Sequence, residues 1–269
     1  MSAAIERMAA IALWALSAWP LWVWWVRRLA DPIDADVASW VVFAALAAML
    51  WRKAGRKAFA RPLPIWKWLF SAFFLLIFHS VRGVLPSTAS SVFAVLAGLP
   101  LLLPEDTGQG AMPSPLVALA LMGLPSAMMV DLFLGFPLRL VATRLAGFLL
   151  AVIGLPVSVS GVELSVDGVA VWVDAPCSGI RMLGAGLVLA FALAQVFGFR
   201  EWRTLALAAV GLVAIILANA VRVVALTFCE VSGIPLSAAA HEAVGCAAFL
   251  PGAALCAVAA FLLARRSMR

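Results

Sequence analysis

Long apolar runs separated by short polar connections dominate this chain. They lie at 8–26, 37–51, 65–81, 87–103, 115–135, 180–199, 204–228 and 243–264. About twenty consecutive apolar residues cross the hydrocarbon core of a bilayer as a helix. Lipid admits only structures that satisfy their own backbone hydrogen bonds. The expected fold is an all-α polytopic membrane helix bundle of about eight transmembrane helices, forming a single domain over 1–269. The composition, 65% hydrophobic and 12% charged, agrees, since a soluble domain has about 25% charged residues. The run 8–26 is too long for a signal-peptide core and lacks a small-residue cleavage site, so it reads as a retained span. No soluble domain is expected after Arg269. The net charge of +6 is concentrated in connections and at the C-terminus, where it sets orientation; it is not a nucleic-acid footprint.

Cytoplasmic connections carry the excess of Lys and Arg. Arg52, Lys53, Arg56, Lys57 and Arg61 mark one, Arg200 and Arg203 a second, and Arg265, Arg266 and Arg269 the C-terminal end. Counting back from Arg200, the span 180–199 starts outside, so Cys177 is outside. Counting forward from Arg203, the span 204–228 also ends outside, together with 229–242 and His241. The segment 138–155 is apolar but carries Arg139 and Arg144 in its first half, which favours an amphipathic helix lying in the outer interface. The alternative lets 138–155 span and makes 82–103 re-entrant, with the Glu105–Asp106 loop as some support. Both leave Cys177 outside.

Segment 156–174 alternates Val with Ser, Glu and Asp and has glycines at 161 and 168. That period-2 pattern predicts a small extracytoplasmic β-hairpin just before Cys177. The four cysteines, Cys177, Cys229, Cys246 and Cys256, form no CxxC pair, and with only two histidines the sequence argues against a metal site. Cys256 lies inside an apolar run and reads as a small buried hydrophobe.

Three polar marks stand out in the C-terminal half. Cys177 lies where a polar segment enters an apolar run. A cysteine at the start of a helix meets unsatisfied N–H groups and the positive end of the helix dipole, which favour the thiolate. Arg181, at i+4, adds positive charge if both sit on one helix. Ser178 and Gly179 allow close backbone approach, suiting a peptide substrate or an oxyanion donor. Arg222 interrupts the run 204–228, ~9 Å below its outer end, with Asn219 on the same face at i−3. A charge at that depth is a functional hypothesis by default; the plainer reading is a snorkelling arginine with asparagine as packing glue. His241 opens the last span, and an imidazole there can take a thiol proton and return it to a leaving amine. Taken alone it would be an interfacial anchor. His79 and Asp131 also fall near span ends, where interfacial water accounts for both.

In order and spacing, Cys177-Ser178-Gly179-Ile180-Arg181, Asn219-Ala220-Val221-Arg222 and His241 with Gly245 resemble the exosortase/archaeosortase family. The resemblance is most specific over 156–250. In the N-terminal half it rests on hydropathy, a basic loop after the second span and Phe136-Pro137-Leu138, and Ala35-Asp36-Val37-Ala38 stands where a Tyr-Ser-His-Gly-like element would. It implies a multi-pass protein of the cell inner membrane acting as a cysteine transpeptidase, without a cofactor. Its partners would be exported proteins with a C-terminal sorting signal (a PEP-CTERM-like motif, a transmembrane helix and a basic tail), membrane lipid and an acceptor molecule. Carried over by position, Cys177 would be the nucleophile, His241 the general acid/base and Arg222 the oxyanion stabiliser. Ser178, Gly179, Arg181 and Asn219 would support them. The competing readings are a transporter with an anion site at Asn219 and Arg222, and a non-catalytic scaffold. A transporter is expected to carry internal repeats and midplane polar groups in both halves, and neither is visible.

Overall fold

The computed structural model describes residues 3–30, 62–103, 114–124 and 127–265, together with Val42 and Leu46. The span expected at 37–51, the basic connection 52–61, Ala35–Ala38, the Glu105–Asp106 loop and the terminal Arg266 and Arg269 lie outside the described residues, apart from Val42 and Leu46. The chain divides into two compact units, Met1–Ser126 and Ala127–Arg269.

The first unit contains α1 (Ala3–Ser17), α2 (Trp19–Leu29), α3 (Ile65–Val81), α4 (Ser87–Leu102) and α5 (Ser114–Met122). Helices α1 and α2 meet at a 61° bend. α4 is the centre of this unit because its carbonyls take donors from its neighbours. Trp14 Nε1 donates to the Ala94 carbonyl at 2.8 Å and Ser71 Oγ to that of Ala97 at 2.7 Å. At its C-terminal end, Arg7 Nε donates to Leu101 O at 3.0 Å, and Arg7 Nη2 and Lys67 Nζ both reach Leu103 O. Two buried cations thus neutralise the orphan carbonyls and negative dipole end of one helix. The sequence reading attached no role to either residue.

The second unit contains α6 (Ala127–Val152), strands β1 (Val157–Ser160), β2 (Glu163–Val166) and β3 (Val169–Trp172), a 3₁₀ turn (Ala175–Cys177), α7 (Ile180–Val196), α8 (Glu201–Val231) and α9 (Ala238–Arg265). α7, α8 and α9 pack through small residues. A Cβ added at Gly186 would come within 2.4 Å of Ile215 Cγ1, and one at Gly252 within 3.2 Å of the Ala214 carbonyl. Lipid provides no hydrophobic drive between helices, so this close backbone approach supplies the association. We expect Gly186→Leu to destabilise the unit by ~1–3 kcal/mol, measured as a lower midpoint of thermal unfolding in detergent.

The described helices differ from the expected spans in three ways. Four are long and apolar enough to cross a membrane, at Met129–Val152, Ala175–Val196, Glu201–Val231 and Ala238–Arg265, or five if the bent α1–α2 pair is one span. The count of about eight is therefore not reached among the described residues. α3 and α4 are helices of 17 and 16 residues, short for a crossing, and the apolar run 115–135 is shared between α5 and α6. A run of apolar residues records hydrophobicity without recording where the helix breaks.

Residues 138–155 do not form a separate interfacial helix. Most of them belong to α6, which continues through Pro137 to Val152 and is long enough to span. Arg139, read as a mark of the interface, sits 5.7 Å from the Phe136 ring, a cation–π contact that lowers the cost of keeping it in a span.

The expected hairpin is instead a three-stranded antiparallel sheet of order β1-β2-β3. Two-residue turns close both hairpins. At Asp167–Gly168 both residues have positive φ, 50° and 81°, as a type I′ turn requires. Leu164 and Val166 of β2 are buried against Ala142, Ala146 and Leu150 of α6 and Val223 of α8. The sheet thus covers one end of the helices, and its third strand leads into Cys177.

Candidate active site

After β3 the chain passes through Val173 and Asp174 into the 3₁₀ turn ending at Cys177. Gly179 is the N-cap of α7 and adopts a left-handed conformation, φ 80°. Only glycine takes this conformation without strain, and the space demands it too. A Cβ there would lie 2.6 Å from Asn219 Cγ. We expect Gly179→Ala to cost ~1–3 kcal/mol through strain and clash; a lower thermal midpoint with slower alkylation of Cys177 is the check.

α8 supplies two buried polar side chains to this turn. Asn219 Nδ2 donates to the Cys177 carbonyl at 3.1 Å, and Arg222 Nη1 to the Pro176 carbonyl at 3.2 Å. The i−3 spacing seen in the sequence therefore has a definite target, with consecutive carbonyls of the cysteine turn held by residues one helical turn apart. α8 runs to Val231, so Arg222 lies ~13 Å below its end, deeper than the sequence placed it. Its Nε has no hydrogen-bond partner among the described residues and remains a buried donor. α9 approaches through Gly245, where a Cβ would come within 3.2 Å of that Nε. A side chain at this position would crowd the guanidinium.

The third group arrives from the start of α9. Ser237 Oγ accepts from the Ala240 N–H at 3.2 Å, a helix N-cap interaction. It sets the first turn that carries His241. His241 Nε2 lies 3.5 Å from Cys177 Sγ. This is sulfur hydrogen-bond distance, and it joins residues 64 positions apart. Cys177 is only 8% exposed and Arg222 also 8%, while His241 is half-buried. The thiol is therefore shielded from bulk water and met by an imidazole.

The structure brings together Cys177, Ser178, Gly179, Asn219, Arg222 and His241. It does not bring Arg181 in. Arg181 is exposed, because the i+4 argument assumed a continuous helix and Gly179 breaks it after Cys177. For the same reason Cys177 lies ahead of the α7 N-cap, outside the helix's first turn. Glu242 is exposed as well, and His79 is an exposed residue of the first unit. The sequence reading missed the part played by Pro176, whose carbonyl anchors Arg222. Cys229, Cys246 and Cys256 carry no disulfide, and Cys256 is buried. Below the site, α8 and α9 flank an open apolar groove of about 590 Å³, lined largely by small residues such as Ala218, Ala225, Ala247 and Gly252.

Polar groups cluster at one end of the second unit. The opposite end carries Arg200 and Arg203 at the α7–α8 turn and Arg265 at the end of α9. No curated protein and no solved structure matches the chain. The family model for transmembrane exosortases (Exosortase_EpsH) matches residues 34–259, a stretch that includes every residue of the cluster. The chain is a multi-pass membrane protein and belongs to the transmembrane exosortase family.

Proposed function

We propose that this protein is a membrane-embedded cysteine transpeptidase. It cleaves the C-terminal sorting signal of exported proteins, a PEP-CTERM-like motif followed by a transmembrane helix and a basic tail, and transfers the cleaved protein to an acceptor. The single observation that carries this reading is the 3.5 Å approach of His241 Nε2 to Cys177 Sγ, beside a buried arginine with a spare donor.

The chemistry follows from these groups. His241 takes the Cys177 proton, and the sulfur attacks the carbonyl carbon of the scissile peptide bond. The oxygen gains negative charge, which Arg222 and nearby backbone N–H groups stabilise. The tetrahedral intermediate collapses as His241 returns the proton to the departing amine. The fragment carrying the span and basic tail leaves, and the remaining protein is held as a thioester on Cys177. An acceptor amine or a water molecule then attacks the thioester carbonyl as His241 takes its proton, and the C–S bond breaks as that proton returns to the Cys177 sulfur. Asn219 holds the Cys177 carbonyl and so fixes the direction of the nucleophile.

The function test uses an epitope-tagged exported protein from the same genome that ends in an extended segment, a span and basic residues. Co-expression should convert it to a shorter form lacking the span. A reporter that stays full-length, across several such proteins, rejects the proposal.

We place the site on the extracytoplasmic side, because the basic turns lie at the other end of the helices. Ser160→Cys, at the exposed end of β1, should react with a membrane-impermeant maleimide in intact spheroplasts. Labelling only after permeabilisation contradicts this orientation.

A further inference from the structure

The transpeptidase proposal leaves open how the enzyme holds an extended peptide, and β3 offers an answer. Among the described residues it is an edge strand, paired only with β2. The Val173 N–H donates to the Val162 carbonyl, and Val169 and Val171 stand opposite Val166 and Leu164 in the same ladder. In an antiparallel pair, alternate residues direct their backbone groups to the partner. Ala170 and Trp172 therefore point their N–H and C=O groups away from β2, and these groups have no hydrogen bond among the described residues. Ala170, Trp172, Asp174, Ala175 and Pro176 are all exposed, Trp172 by 63%. A free edge thus leads, within five residues, to a buried nucleophile.

Resting on the transpeptidase reading, we propose that the free edge of β3 is the substrate-binding site. The segment on the N-terminal side of the scissile bond adds to the sheet as a fourth strand. Strand addition recognises peptide through main-chain hydrogen bonds, with alternate side chains supplying selectivity. The direction follows from topology. The sheet covers the ends of the helices, and the residues after the scissile bond must turn into the bilayer. The peptide therefore runs parallel to β3, so that its carbonyl reaches Cys177 as it leaves the strand. Trp172 forms the outer-face platform for the side chain beside it, in the interfacial zone that suits an amphipathic ring. An unpaired edge is a hazard for a soluble sheet; this one is only a few residues long and guides a substrate.

The test uses the tagged reporter described above in Cys177→Ala membranes, which retain it uncut. A photoreactive benzoylphenylalanine is placed at Ala170 on β3 or at Ser158 on β1. Crosslinks from position 170 to reporter residues before the scissile bond, at least tenfold above those from position 158, are expected. Equal crosslinking from both edges, or none from either with the reporter still co-purifying, overturns the proposal. In the intact enzyme, Ala170→Pro removes one outward N–H and leaves the ladder to β2, a substitution edge strands tolerate. Processing should fall about tenfold, the worth of one backbone hydrogen bond, chiefly through KM. Alkylation of Cys177 at an unchanged rate marks the fold as intact, and unimpaired processing by that variant also overturns the proposal. A reporter that the wild-type protein never cuts sinks the transpeptidase reading and this inference with it. Cleavage without edge crosslinks sinks this inference alone.

Discussion

Cys177→Ala is expected to abolish processing, with the precursor persisting full-length and a loss of at least ~10³-fold in rate. Losing the nucleophile of such a unit removes the covalent path; what survives over water comes from binding and oxyanion stabilisation, of order 10³–10⁴. The variant should still accumulate in the membrane. Alanine omits only the sulfur, and the two hydrogen bonds that hold this turn, from Asn219 and Arg222, end on backbone carbonyls. Immunoblots for precursor and enzyme separate the two quantities. Processing at the wild-type rate by an alanine variant would exclude thioester chemistry at this residue.

The second large effect is expected at Arg222. Arg222→Ala removes a buried cation and the bond from Nη1 to the Pro176 carbonyl. Losing one donor to a developing oxyanion costs about 10²–10³-fold in turnover, and the unpinned turn adds to that. Arg222→Lys should recover little. Lysine offers a point charge in place of the planar fork, and cannot hold Pro176 and also present the donor that is unpaired at Nε. Measured turnover of the tagged reporter, normalised to enzyme in the membrane, is the readout. A lysine variant with near wild-type turnover would mean that charge alone suffices, and that the directed donor is not used.

Much of this site could be read from the sequence because membrane chemistry makes polar residues conspicuous. Asn219 and Arg222 stand out in an apolar run, and their spacing puts them on one helix face. What they grip could not be read. The Pro176 and Cys177 carbonyls lie more than forty positions away, and no local pattern specifies that contact. Arg181 shows the reverse error. Its spacing from Cys177 suggested a shared face, but the left-handed Gly179 ends the turn between them. The sheet was half visible. The alternation over 156–174 was plain, and Asp167-Gly168 is a strong turn signal. Four-residue strands are short enough that two hairpins read as one in the sequence. Residues 138–155 leave two readings open in the sequence, interfacial or spanning; two arginines favour the interface, and the Phe136 contact available to one of them has no signature there. Nothing in the local sequence marks Arg7 or Lys67, and their target at the end of α4 depends on packing that hydropathy does not encode.

The claim that supports the rest is that sulfur and imidazole from distant segments share one pocket. The direct measurement is chemical crosslinking of His241→Cys to Cys177 in membranes, with the other three cysteines replaced and the shortest bifunctional thiol reagent as bridge. The contact of 3.5 Å predicts a bridged 177–241 peptide pair in the mass spectrum. If each thiol is modified singly while no bridged pair forms, the two side chains do not meet and the account fails.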